Sequence, residues 1–185
     1  MSSTSTPYGF IPIRHPSGQN RARPYTIATT YATAIGKGDA VILNTDGTLN
    51  IGTATNDIIG IFDGVEYIDA NGVPTKSPNW PAAGVGTSIV AWVWDDPSTE
   101  FRVQADGAIA LTAVGAQADM VAGTVNTTTG LSAQVLNSTI EAGGAQGQFT
   151  ILELFPAVNN AWGDTYTEVI VKIAQHQYVS NKVGI

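Results

Sequence analysis

Short apolar runs alternate with turn residues from Tyr25 onward, at intervals of roughly 8 to 15 residues. In the last of these runs, apolar and polar positions alternate with a period of two over residues 168–174, as expected of a half-buried strand. Regular spacing of short strands and turns is typical of antiparallel all-β proteins. The pattern therefore predicts an all-β body, either a sandwich or jelly-roll or a barrel-like fold.

Glycine-containing turn dipeptides predict where the hairpins lie. Residues 39–52 read as two strands joined at Asp46-Gly47, because Asp-Gly tolerates the positive φ that tight hairpins require. Residues 58–77 repeat this device at Asp63-Gly64 and at Asn71-Gly72. In residues 87–96 apolar side chains fall on both faces, so this strand is expected at the centre of a sheet or covered on both sides.

The second half of the chain gives a more varied pattern. Residues 108–123 have the best helical propensity in the chain, but Gly115 interrupts them, so the prediction is a short helix or a loop. Residues 123–136 resemble another hairpin. A strand broken by Pro156 is expected within 148–158, and a closing strand within 165–179.

The N-terminal residues form a different kind of segment. Residues 1–24 contain four prolines, which exclude a helix and favour extended backbone. The segment also carries apolar side chains, which favour contact with another surface. We therefore predict an extended, basic, Pro-rich arm over residues 1–24 and a single β-rich domain over 25–185. The arm would dock on its own body or on another subunit.

Charge also differs between the two parts of the chain, although its boundary lies further along, after residue 38. Residues 1–38 carry a net charge of +4 and residues 39–185 a net charge of −11, within a total of −7. Four bases spread over 38 residues are too sparse to favour nucleic acid, so the expected partner of the arm is an acidic protein surface, including that of a neighbouring copy. Only 12% of all residues are charged, and such weakly charged surfaces are often covered by partners.

Asp95-Asp96 is the strongest candidate for a catalytic pair in the sequence. Adjacent strand residues point to opposite faces, however, and the following Pro97-Ser98-Thr99 favours a turn stabilised by an aspartate side chain. The expectation is a hairpin tip, with a cation site or an interface contact as alternatives. An enzyme, a hydrolase or lyase using Asp95, Asp96 or Glu100, is a further alternative.

The other reactive side chains do not form a recognisable site. His15 lies in the arm, and His176 alternates with glutamines on what is expected to be an exposed or interface strand. Trp92 and Trp94 share one face of a strand, where packing is expected and a carbohydrate platform is the alternative. The absence of cysteine excludes disulfides and thiolate metal sites. We predict no catalytic, cofactor-binding or metal site and no enzymatic activity.

Targeting signals are also not predicted. No run reaches the roughly 18 apolar residues of a membrane span, and the first seven residues have neither the basic start nor the apolar run of a secretory signal. The expectation is a protein without membrane contact.

Several stretches within residues 8–107 resemble the cement or decoration proteins of tailed bacteriophages, auxiliary head proteins of the type found in aquatic phages. These stretches are "GFIPIRHPSGQNRARPYTIATTYATAIGKGDAVIL", "DGTLNIG", "IGIFDGVEY", "SPNWPAAG" and "AWVWDDPSTEFRVQADG".

The resemblance implies a structural virion protein. Such a protein would be assembled in the host cytoplasm, bind the major capsid protein on the capsid exterior as a homodimer or homotrimer, and clamp neighbouring capsomers without contacting nucleic acid directly. The expected contact residues are the apolar anchors Tyr8, Phe10, Ile11 and Ile13 and the ion-pairing Arg14, Arg21 and Arg23. The alternative function is a receptor-binding or head-fibre module that binds a host surface glycan.

Overall fold

The computed structural model describes residues 4–82 and 86–179, and these form an all-β body of antiparallel sheets packed as a sandwich. The predicted fold class is therefore confirmed. The first three residues of the predicted arm and the last six of the predicted domain lie outside the described ranges. Among the described residues, no helix is long and apolar enough to cross a membrane.

One sheet has five strands, of which the last in the sequence is central. Across the sheet the order is β1 (Ile11–Arg14), β8 (Glu100–Gln104), β13 (Glu168–Ile173), β12 (Phe149–Leu154) and β9 (Gln117–Ala118). All its pairings are antiparallel. The strand expected within 148–158 ends before Pro156, which cannot donate to the ladder, and the expected closing strand is β13.

The second sheet has six strands. Its order is β2 (Arg23–Tyr25), β7 (Gly86–Trp94), β5 (Gly60–Asp69), β3 (Ala40–Leu43) and β4 (Leu49–Ile51), and β6 (Pro74–Ser77) also pairs with β5. β7 lies between β2 and β5, as its two apolar faces predicted. A separate two-stranded ribbon joins β10 (Met120–Val121) to β11 (Val135–Leu136).

Each face of the six-stranded sheet is buried in a different apolar cluster. Ala40 and Val41 are neighbours on β3, yet Ala40 packs with Phe101 and Val171 of the five-stranded sheet and Val41 packs on the opposite face. That opposite face is covered by the segments that carry Ile35 and Trp80, whose backbones exchange two hydrogen bonds of 3.0 and 2.8 Å. Because the six-stranded sheet packs against apolar clusters on both faces, even short strands with few charged residues bury apolar surface.

Two of the three predicted glycine turns are correct, and so is the hairpin over 123–136. Gly47 and Gly72 have φ of 81° and 79°, between β3 and β4 and between β5 and β6 respectively. The hairpin expected over 123–136 begins earlier than predicted, because its first strand is β10 at Met120–Val121; near its tip Gly130 N donates to Asn126 O over 2.7 Å. These elements depend on local sequence, which explains why they were predictable.

The third predicted turn, Asp63-Gly64, is wrong. β5 continues through it, and the register against β7 shifts between Phe62 and Gly64, which marks a β-bulge. Gly64 has φ of 154°, and a Cβ there would lie 2.9 Å from the carbonyl oxygen of Ser77, so glycine serves a close approach between strands. Residues 108–123 contain a single turn of 3₁₀ helix, Leu111–Ala113, followed by β9 and β10.

Candidate interaction surface

The N-terminal segment, residues 4–25, runs along the body and adds an edge strand to each sheet. β1 pairs with β8 and β2 pairs with β7. Pro12 lacks a backbone N–H, which suits it to an edge strand, and the register of β1 shifts next to it. In this structure the segment packs on its own body, which is one of the two arrangements expected from the sequence.

Phe10 anchors this segment in the inter-sheet core. Its side chain is 1% exposed and stacks on Phe149, with ring centroids 4.3 Å apart. Its amide donates to Gly38 O over 2.9 Å. The preceding Gly9 has φ of 75°, and a Cβ there would lie 2.5 Å from the same carbonyl oxygen. Phe10 thus contacts its own chain. In this arrangement its side chain has no exposed surface with which to make the predicted contact with a partner.

Tyr8 packs against the guanidinium of Arg102. The guanidinium of Arg102 lies 5.0 Å from the Tyr8 ring centre and 4.1 Å from that of Phe155. Arg102 also pairs with Glu168 at 2.6 Å. Burial, reinforced by the charge of Glu168, raises the pKa of the Tyr8 hydroxyl. Tyr8 is therefore half-buried, with its hydroxyl buried.

The remaining predicted contact residues form an outward strip along the same segment. Ile11 is 40% exposed and Ile13 is half-buried on β1. Arg14 has a side chain 54% exposed and Arg23 one 65% exposed, while Arg21 is exposed in the loop between β1 and β2. We call Ile11, Ile13, Arg14, Arg21 and Arg23 the outward strip.

Bases of this segment already meet acids of the body within one chain. Arg14 pairs with Glu100 and, at 2.6 Å, with Glu153. Arg23 lies 3.4 Å from Asp95. The Arg14–Glu153 pair is exposed on both sides, and pairs of this kind contribute only about 0–1 kcal/mol, so it orients Arg14 without preventing exchange for a partner's carboxylate. The Arg23–Asp95 pair differs, because the Asp95 side chain is buried. The positive N-terminal residues and the acidic body therefore attract each other within one chain, and this attraction contributes to docking of the segment.

The Asp95-Asp96 loop forms a turn, but it is not a hairpin tip. β7 belongs to the six-stranded sheet and β8 to the five-stranded sheet, so the loop carries the chain from one sheet to the other. The expected aspartate turn is present, because Ser98 N donates to Asp96 Oδ1 over 2.8 Å. Burial raises the pKa of Asp96, but the Ser98 bond and the nearby His15 outweigh it and leave the pKa below its ordinary value.

Asp95 links this crossing to β2 and to the residues that follow β13. Its side chain is 2% exposed and accepts a 2.7 Å hydrogen bond from the Tyr25 hydroxyl. Its carbonyl oxygen lies 2.9 Å from Nε2 of His176. His176 is 2% exposed, so the prediction of an exposed strand position is wrong. Glutamine neighbours suggested exposure, but the chain turns after β13 and directs the ring inward.

We expect Tyr25→Phe to lower the free energy of unfolding by about 1.5–3 kcal/mol, because it leaves a buried carboxylate oxygen without its donor. Chemical denaturation followed by tryptophan fluorescence measures the change. Tyr166→Phe, which removes a hydroxyl from another half-buried tyrosine, serves as the matched control. Equal effects of the two changes would mean that the Tyr25 bond does not fasten the crossing.

A second buried carboxylate, Asp39, lies beneath the N-terminal segment. Its side chain is fully buried and accepts a 2.6 Å hydrogen bond from Gly36 N. Burial raises the pKa of Asp39 to about 6, although bonds from Ser132 and Gly36 oppose the shift. No local pattern predicts the burial of Asp39, because distant segments bury it.

The tryptophans take several positions. Trp80 is fully buried and donates to Tyr31 O over 3.2 Å. Trp94 packs against the inter-sheet cluster, whereas Trp92 is half-buried on β7. The indole N–H groups of Trp92 and Trp94 are buried, and neither has a hydrogen-bond partner among residues 4–82 and 86–179.

In the same ranges, no cluster of three or more histidine, aspartate or glutamate side chains is placed to hold a metal ion.

Comparisons of the chain with protein-family models, with curated proteins and with solved structures gave no significant match.

Proposed function

We propose that this protein is a structural virion component that binds the outside of a tailed-phage capsid and stabilises it by clamping neighbouring capsomers. It acts without catalysis, as a homo-oligomer assembled in the host cytoplasm, and its main partner is the major capsid protein. The proposal rests on the resemblance of residues 8–107 to cement proteins and on the physical character of the outward strip.

The outward strip is the observation that carries the proposal. It combines exposed apolar surface at Ile11 with three arginines that project from an extended segment. Such a surface complements an acidic partner with an apolar depression, since charge complementarity guides docking and apolar contact supplies affinity. Its residues lie on edge strands of both sheets and on the loop between them, which suits contact with two neighbouring capsomers at once.

Clamping follows from the area added between capsomers. A standard interface buries about 1,600 Å², and each bound copy stabilises only the closed arrangement of the subunits that it joins. A segment already ordered on its own body loses less conformational entropy on binding than a free arm would. The fold therefore presents the strip in a preorganised form.

The test is co-sedimentation with heads of the encoding phage that lack this protein. We expect saturable binding by the wild type and binding about tenfold weaker by the triple variant Arg14→Ala, Arg21→Ala, Arg23→Ala. Deleting residues 1–24 is a poor test, because it also removes Phe10 from the core.

The matched control is Lys76→Ala with Lys172→Ala, which removes two bases outside the strip. This control should bind like the wild type, and both variants should melt close to it. If the wild type does not bind heads, the capsid role is excluded. If the triple variant binds normally, the strip is not the contact surface.

A further inference from the structure

A groove of about 470 Å³ lies beside Trp92. Its walls come from the β5–β6–β7 part of the six-stranded sheet, and Ala22 of the N-terminal segment lines it as well. The volume is within the range of small-molecule sites, about 300–1,000 Å³. The groove is therefore large enough for a ligand and rests on paired strands rather than on a loop.

The floor of the groove offers an aromatic surface. Trp92 lines it, and the residue opposite Trp92 on β5 is Gly64, which places no side chain beside the indole. Buried tryptophan N–H groups usually find an acceptor, but that of Trp92 has none among the described residues. Because this N–H is itself buried, a ligand in the groove would contact the indole ring and not this donor.

The walls carry charges of both signs in equal number. Two ion pairs line the groove, Lys37 with Asp63 at 2.8 Å and Lys76 with Glu66 at 3.0 Å. The ammonium groups can donate to hydroxyl oxygens, and the carboxylates can accept from hydroxyl protons. Because the charges balance, the groove favours neither an anionic nor a cationic ligand, and a wholly apolar ligand would desolvate them without compensation.

From this combination we propose that the groove binds a neutral, short oligosaccharide, with one sugar ring stacked on Trp92. Sugars present an apolar C–H face and a rim of hydroxyls, which match the aromatic floor and the polar walls. The β-bulge in β5 places Asp63 in the wall of the groove. The bulge therefore positions a binding group. None of the lining residues of this site belongs to the outward strip, although the two adjoin at Ala22, which lies between Arg21 and Arg23.

The experiment titrates the full-length protein with four neutral trisaccharides, namely maltotriose, cellotriose, mannotriose and tri-N-acetylchitotriose. Tryptophan fluorescence and calorimetry report binding. We expect at least one of them to bind with a dissociation constant in the millimolar range or below. Trp92→Ala should weaken that binding at least about tenfold, and Asp63→Asn with Glu66→Gln should weaken it without loss of fold.

Trp162→Phe is the control, because it changes a half-buried tryptophan outside the groove, and it should leave binding unchanged. If Trp92→Ala does not fold, the Asp63 and Glu66 variant decides the outcome. Absence of binding by all four sugars at about 10 mM would overturn the proposal. Tighter binding of a sulfated oligosaccharide than of any neutral one would also overturn it. Head binding by Trp92→Ala should match the wild type, so failure here is distinguishable from failure of the capsid role.

Discussion

Phe10→Ala is expected to lower the free energy of unfolding by about 3–5 kcal/mol. The ring is almost fully buried and stacked on Phe149, so its removal leaves a cavity between the two sheets in addition to the lost transfer free energy. Urea denaturation monitored by tryptophan fluorescence and by far-ultraviolet circular dichroism measures the loss.

Ile11→Ala is the matched control for this change. It removes an apolar side chain from the adjacent position, which is 40% exposed, and should cost less than about 1 kcal/mol. A large difference between the two variants would establish that the segment docks on the body in solution. A small effect of Phe10→Ala would show instead that the segment is free or is bound elsewhere.

Asp39→Asn is expected to remove a strong pH dependence of stability. The pKa of Asp39 in the folded protein, about 6, lies above the ordinary value of 3.8, so the folded state holds the proton more tightly than the unfolded state does. The free energy of unfolding therefore falls as pH rises from about 4 to about 6 and is level above that range. A shift of this size corresponds to about 3 kcal/mol.

The measurement is the difference in unfolding free energy between Asp39→Asn and the wild type at pH 4 and at pH 8. This difference should move by about 2.5 kcal/mol in favour of the variant at the higher pH. Asp46→Asn is the control, because Asp46 is exposed and hydrogen bonds from Thr48 lower its pKa, so any dependence there has the opposite sign. If the difference in unfolding free energy between Asp39→Asn and the wild type does not change with pH, burial does not raise the pKa of the Asp39 carboxyl.

The sequence predicted those elements whose cause lies within a few residues. Asp46-Gly47 and Asn71-Gly72 adopt the expected turns because positive φ at glycine is a local requirement. The two apolar faces of 87–96 likewise predicted an interior strand, since burial on both faces follows from the side chains of the strand itself.

The errors concern features decided by distant segments. Asp63-Gly64 carries the same dipeptide as a hairpin turn, but pairing with β7 on one side and β6 on the other keeps the chain extended there. Asp95 and His176 meet only because β7 and β13 lie in facing sheets, and no local pattern records that pairing.

The N-terminal segment shows the same limit for the candidate site. Its composition predicted docking, but it did not distinguish Phe10, which enters the core, from Ile11, which faces outward. That difference depends on the register of β1 against β8. The groove beside Trp92 was foreseen only as an aromatic face, because its walls come from separate strands.

The central place of β13 in the five-stranded sheet has a consequence for folding kinetics. β8 and β12 both pair with β13, so neither has its full set of partners until residues 168–173 have left the ribosome. Contacts between β8 and β13 join residues more than 60 positions apart, and such long-range pairing slows folding. The five-stranded sheet must therefore close late, with unpaired strand edges exposed during synthesis, and this interval is when the protein is most susceptible to aggregation.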